Sequence, residues 1–265
     1  MKPNPSRAAK LRRSIVTIGI GLICGKSVVL VSDSKTDEDG LKKKDLNKIA
    51  VSGLAAPLDW GIIQAGKTDF ATRCVELIRE GVRRDNPKTC DQFRTLCEES
   101  AKNVRIHANQ VFGSSIQAAL DSKFRLIIGV VEHGVRPRLF ILNSETAYAT
   151  EVREHACIGN ARNVAEYILS GLKVRSSPIE QAKCAAIYAA TIVSHIDSET
   201  EAPLVAATIS QDDTGHLLNN SVNQFSADCL DFEEKRQKEW SGELLGWIKD
   251  QDTKRLFRIV GKPGD

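Results

Sequence analysis

Residues 14–48 read SIVTIGIGLICGKSVVLVSDSKTDEDGLKKKDLNK, and the first two-thirds of that stretch describe a β-hairpin. Apolar and β-branched residues crowd 15–23 and 28–31, and Cys24-Gly25-Lys26-Ser27 between them is a short Gly-containing connection of the kind that closes hairpins. The register depends on the loop. A three-residue loop (24–26) sets Thr17 opposite Asp33, whereas a two-residue loop (25–26) sets Ile18 there and Thr17 one step diagonal. Either way a hydroxyl and a carboxylate become neighbours, within the ~4.5–8 Å of cross-strand and diagonal pairs. A third strand beginning Lys48-Ile49-Ala50-Val51 then brings an amine toward them.

Length and composition bound what such a site can belong to. A chain of 265 residues can bury a full-sized core, and 42% hydrophobic with 27% charged residues is ordinary for a globular protein. The net charge of +3, spread along the chain, is too small to argue for a nucleic-acid partner, and none is expected. Seven cysteines form no CxxC pair and have no His at ligand spacing, so they read as buried thiols in a reducing cytoplasm. The five histidines form no HExxH or similar pair, and no metal or other cofactor is expected.

Two rival readings of the N-terminal region fail. Basic residues before the apolar run 14–24 mimic a signal peptide, but Gly19 and Gly21 interrupt the run and no Ala-x-Ala site follows. Gly25-Lys26-Ser27 looks like the end of a phosphate-binding loop, yet the Gly that such a loop needs five residues earlier is Ile20. No membrane association is expected.

Beyond Lys48 the pattern predicts a strand at Leu58 to Ala65, helices through Phe70–Val82 and 91–110, and strands at about 124–131, 138–142 and 147–152. Two more helices follow. Ser177-Pro178-Ile179-Glu180 opens the second of them as a capping box with Pro at the first helical position, and that helix ends near His195. Leu204 to Ile209 is another strand. A last strand about 215–222, a helix within 228–250 and an apolar end at Leu256 to Val260 complete the reading. Hairpin-linked strands in two blocks, each followed by a helix pair, are not strict βαβ alternation. They suggest antiparallel sheets stacked face to face with helices outside, an α+β four-layer αββα sandwich.

These residues resemble the proteasome-type N-terminal-nucleophile (Ntn) hydrolases, as a divergent bacterial or archaeal β-subunit-like member. That family carries an N-terminal Thr, an Asp sixteen residues on that opens an Asp-Ser motif, and a Lys about sixteen further. Here Asp33-Ser34 stands sixteen residues after Thr17, and Asp45-Leu46-Asn47-Lys48-Ile49 resembles the Asp-Lys-Ile strand, with Lys48 one residue short. Gln64-Ala65-Gly66 matches the segment before the first helix. Gly159-Asn160 takes the place of a Gly-Ser, and Asp197 with Thr200 that of an Asp-x-x-Ser. The resemblance spans roughly residues 15–210 and implies the same four-layer sandwich.

It also implies a threonine-type endopeptidase that forms an acyl-enzyme on Thr17, with Asp33, Lys48, Asn160, Asp197 and Thr200 in the catalytic group. Gly66, Gln64 and Thr36 would line the substrate channel. A Thr hydroxyl needs a base within hydrogen-bond reach, and the α-amine of an N-terminal Thr, ordinarily near pKa ~8, can serve. Lys48 would favour its neutral form, Asp33 would place Lys48, and the Gly66 N–H would stabilise the oxyanion. Residues 1–16 must then be removed as a propeptide, although Val16 stands where the family usually has Gly. The implied layout is a basic extension 1–16, a hydrolase domain 17–225 and a C-terminal helical extension 226–265 packed on it. Implied partners are a homo-oligomeric ring, a peptide or protein substrate and a regulatory ATPase, in the cytoplasm. Two alternatives stay open: a catalytically silent structural subunit, and an amidohydrolase acting on small amides.

Overall fold

The computed structural model describes residues 18–33, 35–38, 41–44, 48–52, 58–66, 68–112, 123–159, 162–172, 175, 177–196, 204–211, 217–218 and 222–224. The opening hairpin is strand β1 (Ile18–Cys24) against β2 (Ser27–Asp33), in register from Cys24↔Ser27 to Gly19↔Ser32. The loop is therefore the two-residue one. Gly25, at φ 54°, supplies the left-handed first loop position that a tight hairpin turn of this length requires. Continuing the register one step sets Ile18 opposite Asp33.

The chain continues through a separate two-stranded ribbon, β3 (Lys35–Glu38) with β4 (Leu41–Lys44), then β5 (Ile49–Val51) and β6 (Leu58–Gly66). Helices α1 (Thr68–Asp85) and α2 (Cys90–Phe112) follow, then β7 (Phe124–Glu132), β8 (Arg138–Asn143), β9 (Tyr148–Val152) and β10 (His155–Gly159). Helices α3 (Arg162–Gly171) and α4 (Ile179–Ile196) lead to β11 (Leu204–Gln211), β12 (Leu217–Leu218) and β13 (Val222–Gln224). One sheet runs β10-β1-β2-β11-β12, with β13 also on β11; the other runs β5-β6-β7-β8-β9. Every pairing is antiparallel.

The expected four-layer αββα sandwich is the observed architecture, and strand alternation explains it. On β1 and β2, Ile18, Ile20, Leu22, Val29 and Val31 face α3 and α4, packing with Ala182, Ala186 and Val193. The intervening Val28 and Leu30 point the other way, onto Ile63, Ile127 and Leu139 of the second sheet. That sheet turns Trp60, Ile62, Leu126, Ile128 and Phe140 outward onto Cys74, Ile78, Phe93 and Cys97 of α1 and α2. Both faces of both sheets are thus covered, which is why the central strands read as nearly unbroken apolar runs rather than alternating ones. Gly61 makes close stacking feasible, since a methyl group there would stand 2.6 Å from Leu30 Cδ1 and 2.7 Å from Ile209 Cδ1.

Three expectations change. No strand was expected between Asp33 and Lys48, where β3 and β4 lie. The single strand expected at 215–222 is two short ones, both on β11. Strand β10 was not foreseen: it has only five residues and follows β9 after two, so its apolar core looks like the run-up to α3. The expected helix within 228–250 and the apolar end at 256–260 lie outside the described residues, as does segment 1–16.

Candidate functional site

The polar residues of the first three strands of the sandwich meet at one end of the six-stranded sheet. Asp33 is the last residue of β2, between Ile18 of β1 on one side and Leu204 of β11 on the other. Its Oδ1 accepts a hydrogen bond from the Ile18 N–H at 3.0 Å, and its Oδ2 accepts one from Lys48 Nζ at 2.9 Å. Both ions are out of water, with side-chain exposures of 0% for Asp33 and 2% for Lys48. A buried ion pair is hardly stabilising in itself, because stripping water from both ions costs several kcal/mol each. What it does supply is a fixed ammonium in a site of low dielectric.

Ser32 completes the frame, and the sequence reading passed over it. Its hydroxyl, wholly buried, donates to the Ile18 carbonyl at 3.1 Å and lies 3.1 Å from the Asp33 carbonyl. Ile18 is therefore held by its N–H from Asp33 and by its C=O from Ser32. The available signal was a serine at the end of an otherwise apolar run, on the inter-sheet face, where a hydroxyl needs a partner.

Lys48 stands immediately before β5, which pairs with β6 in the second sheet, and the Gln64 N–H donates to the Lys48 carbonyl at 3.3 Å. Gln64 is buried; its Nε2 donates to Thr72 Oγ1 of α1 at 3.4 Å, and its Oε1 has no partner. Two residues on, Gly66 ends β6 at φ 107°. A Cβ there would stand 2.5 Å from the Lys123 carbonyl oxygen and 2.7 Å from Phe124 Cα, so neither conformation nor space admits a side chain. On the other flank, β10 ends at Gly159, paired with Ile18 and also at positive φ.

The thiol on the adjoining strand is a poor candidate for the chemistry. Burial raises Cys157, opposite Ile20 on β10, well above the usual thiol range, so it stays protonated near neutrality. Of the expected site residues, Asp33 and Lys48 are in contact, Gln64 touches the Lys48 backbone, and Gly66 follows on the same strand. Thr36 is on β3. Thr17, Asn160, Asp197 and Thr200 lie outside the described residues. No described helix is long and apolar enough to cross a membrane.

Comparison with known proteins agrees with this architecture. No family model matches the chain, and no curated protein matches it. Solved structures do. The chain is similar to the Anbu complex from Pseudomonas aeruginosa, solved as a helical assembly, and to Anbu from Yersinia bercovieri, described as an ancestral beta-subunit. Each is 16% identical with a TM-score of 0.72, covering 88% of this chain and 96% of the other. The Gly-1 mutant of Anbu from Hyphomicrobium sp. strain MC1 is 15% identical, with a TM-score of 0.70 over 89% of this chain and 99% of its own. At such identity the likeness speaks for the fold. It also corrects the family expected from the motifs: the matching structures are Anbu, a proteasome-like protein, and recognition as a proteasome-type β-subunit-like Ntn hydrolase does not stand.

Proposed function

We propose that this chain is an Anbu-like threonine hydrolase that cleaves peptide bonds through an acyl-enzyme on Thr17, once residues 1–16 have been removed. The observation that carries the reading is the Asp33–Lys48 pair, buried and anchored through Asp33 to the amide of Ile18, the residue next to Thr17. The Ile18↔Gly159 pair supports it further, because these two residues are the chain neighbours of Thr17 and Asn160.

In this scheme the Val16–Thr17 peptide is hydrolysed first, which creates the α-amine. Thr17 Oγ attacks the substrate carbonyl carbon as its proton passes to that amine. The N–H of Gly66 faces the developing oxyanion. Collapse breaks the peptide C–N bond, the leaving amine takes the proton, and the ester on Thr17 is hydrolysed by water activated by the same amine. Lys48 keeps the amine neutral by its charge, and Asp33 holds Lys48 in place. Asp197 and Thr200 would complete the site beside Asn160, and Gln64 and Thr36 would line the pocket. The hydrolase domain is then 17–225, assembled into a closed or helical homo-oligomer.

A second reading has its own support. Val16 is β-branched and stiff, unlike the open residue that self-cleavage at this bond favours, and a chain retaining residues 1–16 would be a silent structural subunit. N-terminal sequencing of purified assemblies separates the two. A chain beginning at Thr17, with peptide turnover abolished by Thr17→Ala, is expected; an intact Met1 in full assemblies without turnover rejects the catalytic reading. Turnover of small amides but not of peptides would reject the peptidase assignment alone.

A further inference from the structure

Helix α4 is apolar and partly buried well beyond its sheet-facing side. It packs on β1, β2 and β11 through Ala182, Ala186, Ala189 and Val193, a stripe at helical spacing. At 100° per residue Ile187 lies about 130° from the middle of that stripe, and it is buried in the cluster that also holds Ala165 and Leu169 of α3. Cys184, Tyr188, Thr191 and Ile192, also turned away from the stripe or flanking it, are half-buried, and no charged residue occurs between Cys184 and Ser194. Helix α1 has the same job on the other sheet and shows the ordinary pattern: its Arg73, Glu76 and Glu80 are about half exposed and pair with one another. Among the described elements, α3 and the sheet are what packs most extensively on α4. A helix apolar on most of its circumference is one that something covers.

The chain carries a matching cover. Strand β13 pairs with β11 at Val205↔Gln224, so residues 225–265 leave from the rim of the same sheet that α4 lies on. Sixteen residues after Gln224 comes Trp240, followed by Leu244, Trp247 and Ile248, the i, i+4, i+7, i+8 spacing of one helical face. Glu239, Glu243, Lys249 and Asp250 fall off that face. Sixteen residues reach up to about 50 Å, ample against the roughly 27 Å length of α4. We infer that the face formed by Trp240, Leu244, Trp247 and Ile248 docks on the outward side of α4 in the same chain, closing the helical layer. This holds whether or not the chain is a hydrolase.

The test uses the full chain. In the first arm, Cys184 is alkylated with a maleimide and the modified peptide quantified by mass spectrometry. A Trp240→Asp/Trp247→Asp variant should label Cys184 at least tenfold faster, with unchanged helix content by circular dichroism. Unchanged labelling overturns the inference. In the second arm, the photo-crosslinking residue benzoylphenylalanine replaces Tyr188 in an otherwise native chain, so folding of the aspartate variant is not at issue. Crosslinks to 240–248 in a product of monomer mass are expected. A product of dimer mass would assign the cover to a second copy, and absence of any link to 225–265 would assign it elsewhere; either result overturns the inference.

Discussion

Replacing Lys48 with Met should destabilise the fold by about 3–4 kcal/mol at neutral pH, and the deficit should shrink on acidification. At 2.9 Å and an effective dielectric near 20, the attraction between Lys48 and Asp33 is about 6 kcal/mol before desolvation is subtracted. Removing the ammonium leaves a carboxylate at 0% exposure, and breaking such a pair from one side typically costs about 3–5 kcal/mol. Asp33 keeps its bond from the Ile18 amide, which places the cost in the lower part of that range. It can also escape by taking up a proton. At pH 7 that costs a carboxylate about 4 kcal/mol, and the figure falls by about 1.4 kcal/mol for each pH unit lowered. The deficit is therefore capped near ~4 kcal/mol at pH 7 and should be clearly smaller at pH 5. Urea melts of the parent, Lys48→Met, Asp33→Asn and the double variant at both pH values make the measurement. The double variant should lose less than either single one, because no ion is left uncompensated. A Lys48→Met loss under about 1 kcal/mol with no pH dependence would refute the reasoning, since the pair could not then be a buried ionic contact.

Further expectations concern other parts of the molecule. Gly66→Ala should cost about 2–4 kcal/mol in a urea melt, because φ is 107° and the obstructing atoms belong to the backbone of Lys123 and Phe124. Gly25→Ala, at φ 54° with open space around it, should cost only about 1 kcal/mol. Burial lifts Cys24 to about 11 and Cys74 and Cys90 to about 12. The folded chain thus keeps protons that the unfolded chain releases, so these thiols support stability below pH ~9 and that support is lost progressively between about 9 and 12. Melts across that range should show stability falling with pH, and replacing Cys74 by Ala should make the fall shallower. Arg138 donates to Asp91 at 2.9 Å and Glu151 at 2.7 Å, 5.0 Å above the Phe140 ring. Arg138→Leu should cost about 1–2 kcal/mol, less in 1 M salt, in thermal melts at both ionic strengths.

Local elements were legible in the order of residues alone. The hairpin was legible because two apolar runs flank a Gly-containing connection, and α4 began where Ser177-Pro178-Ile179-Glu180 said it should. Helices α1 and α2 followed from their apolar spacing, and the blockwise order of strands and helix pairs was enough for the layered class. The spacing of Asp33 and Lys48 from Thr17 named two residues that do meet. These features are written in neighbouring residues, so turn, cap and period chemistry suffices to read them.

Tertiary structure decided the rest. Whether two or three residues close the hairpin depends on the pairing of Gly19 with Ser32, not on the loop composition. Strand β10 became visible only because β1 offers it an edge, and β11 joins β2 across some 170 residues of intervening chain, which no local pattern encodes. The pairing of Asp33 with Lys48 likewise needs the two sheets to be brought together, since one residue ends β2 and the other precedes β5, and each alone reads as an ordinary polar strand end. The anchoring of Ile18 by Ser32 needs the register and the stacking together. Contacts of that kind are set by which surfaces meet, and the chain order leaves that open until the sandwich closes.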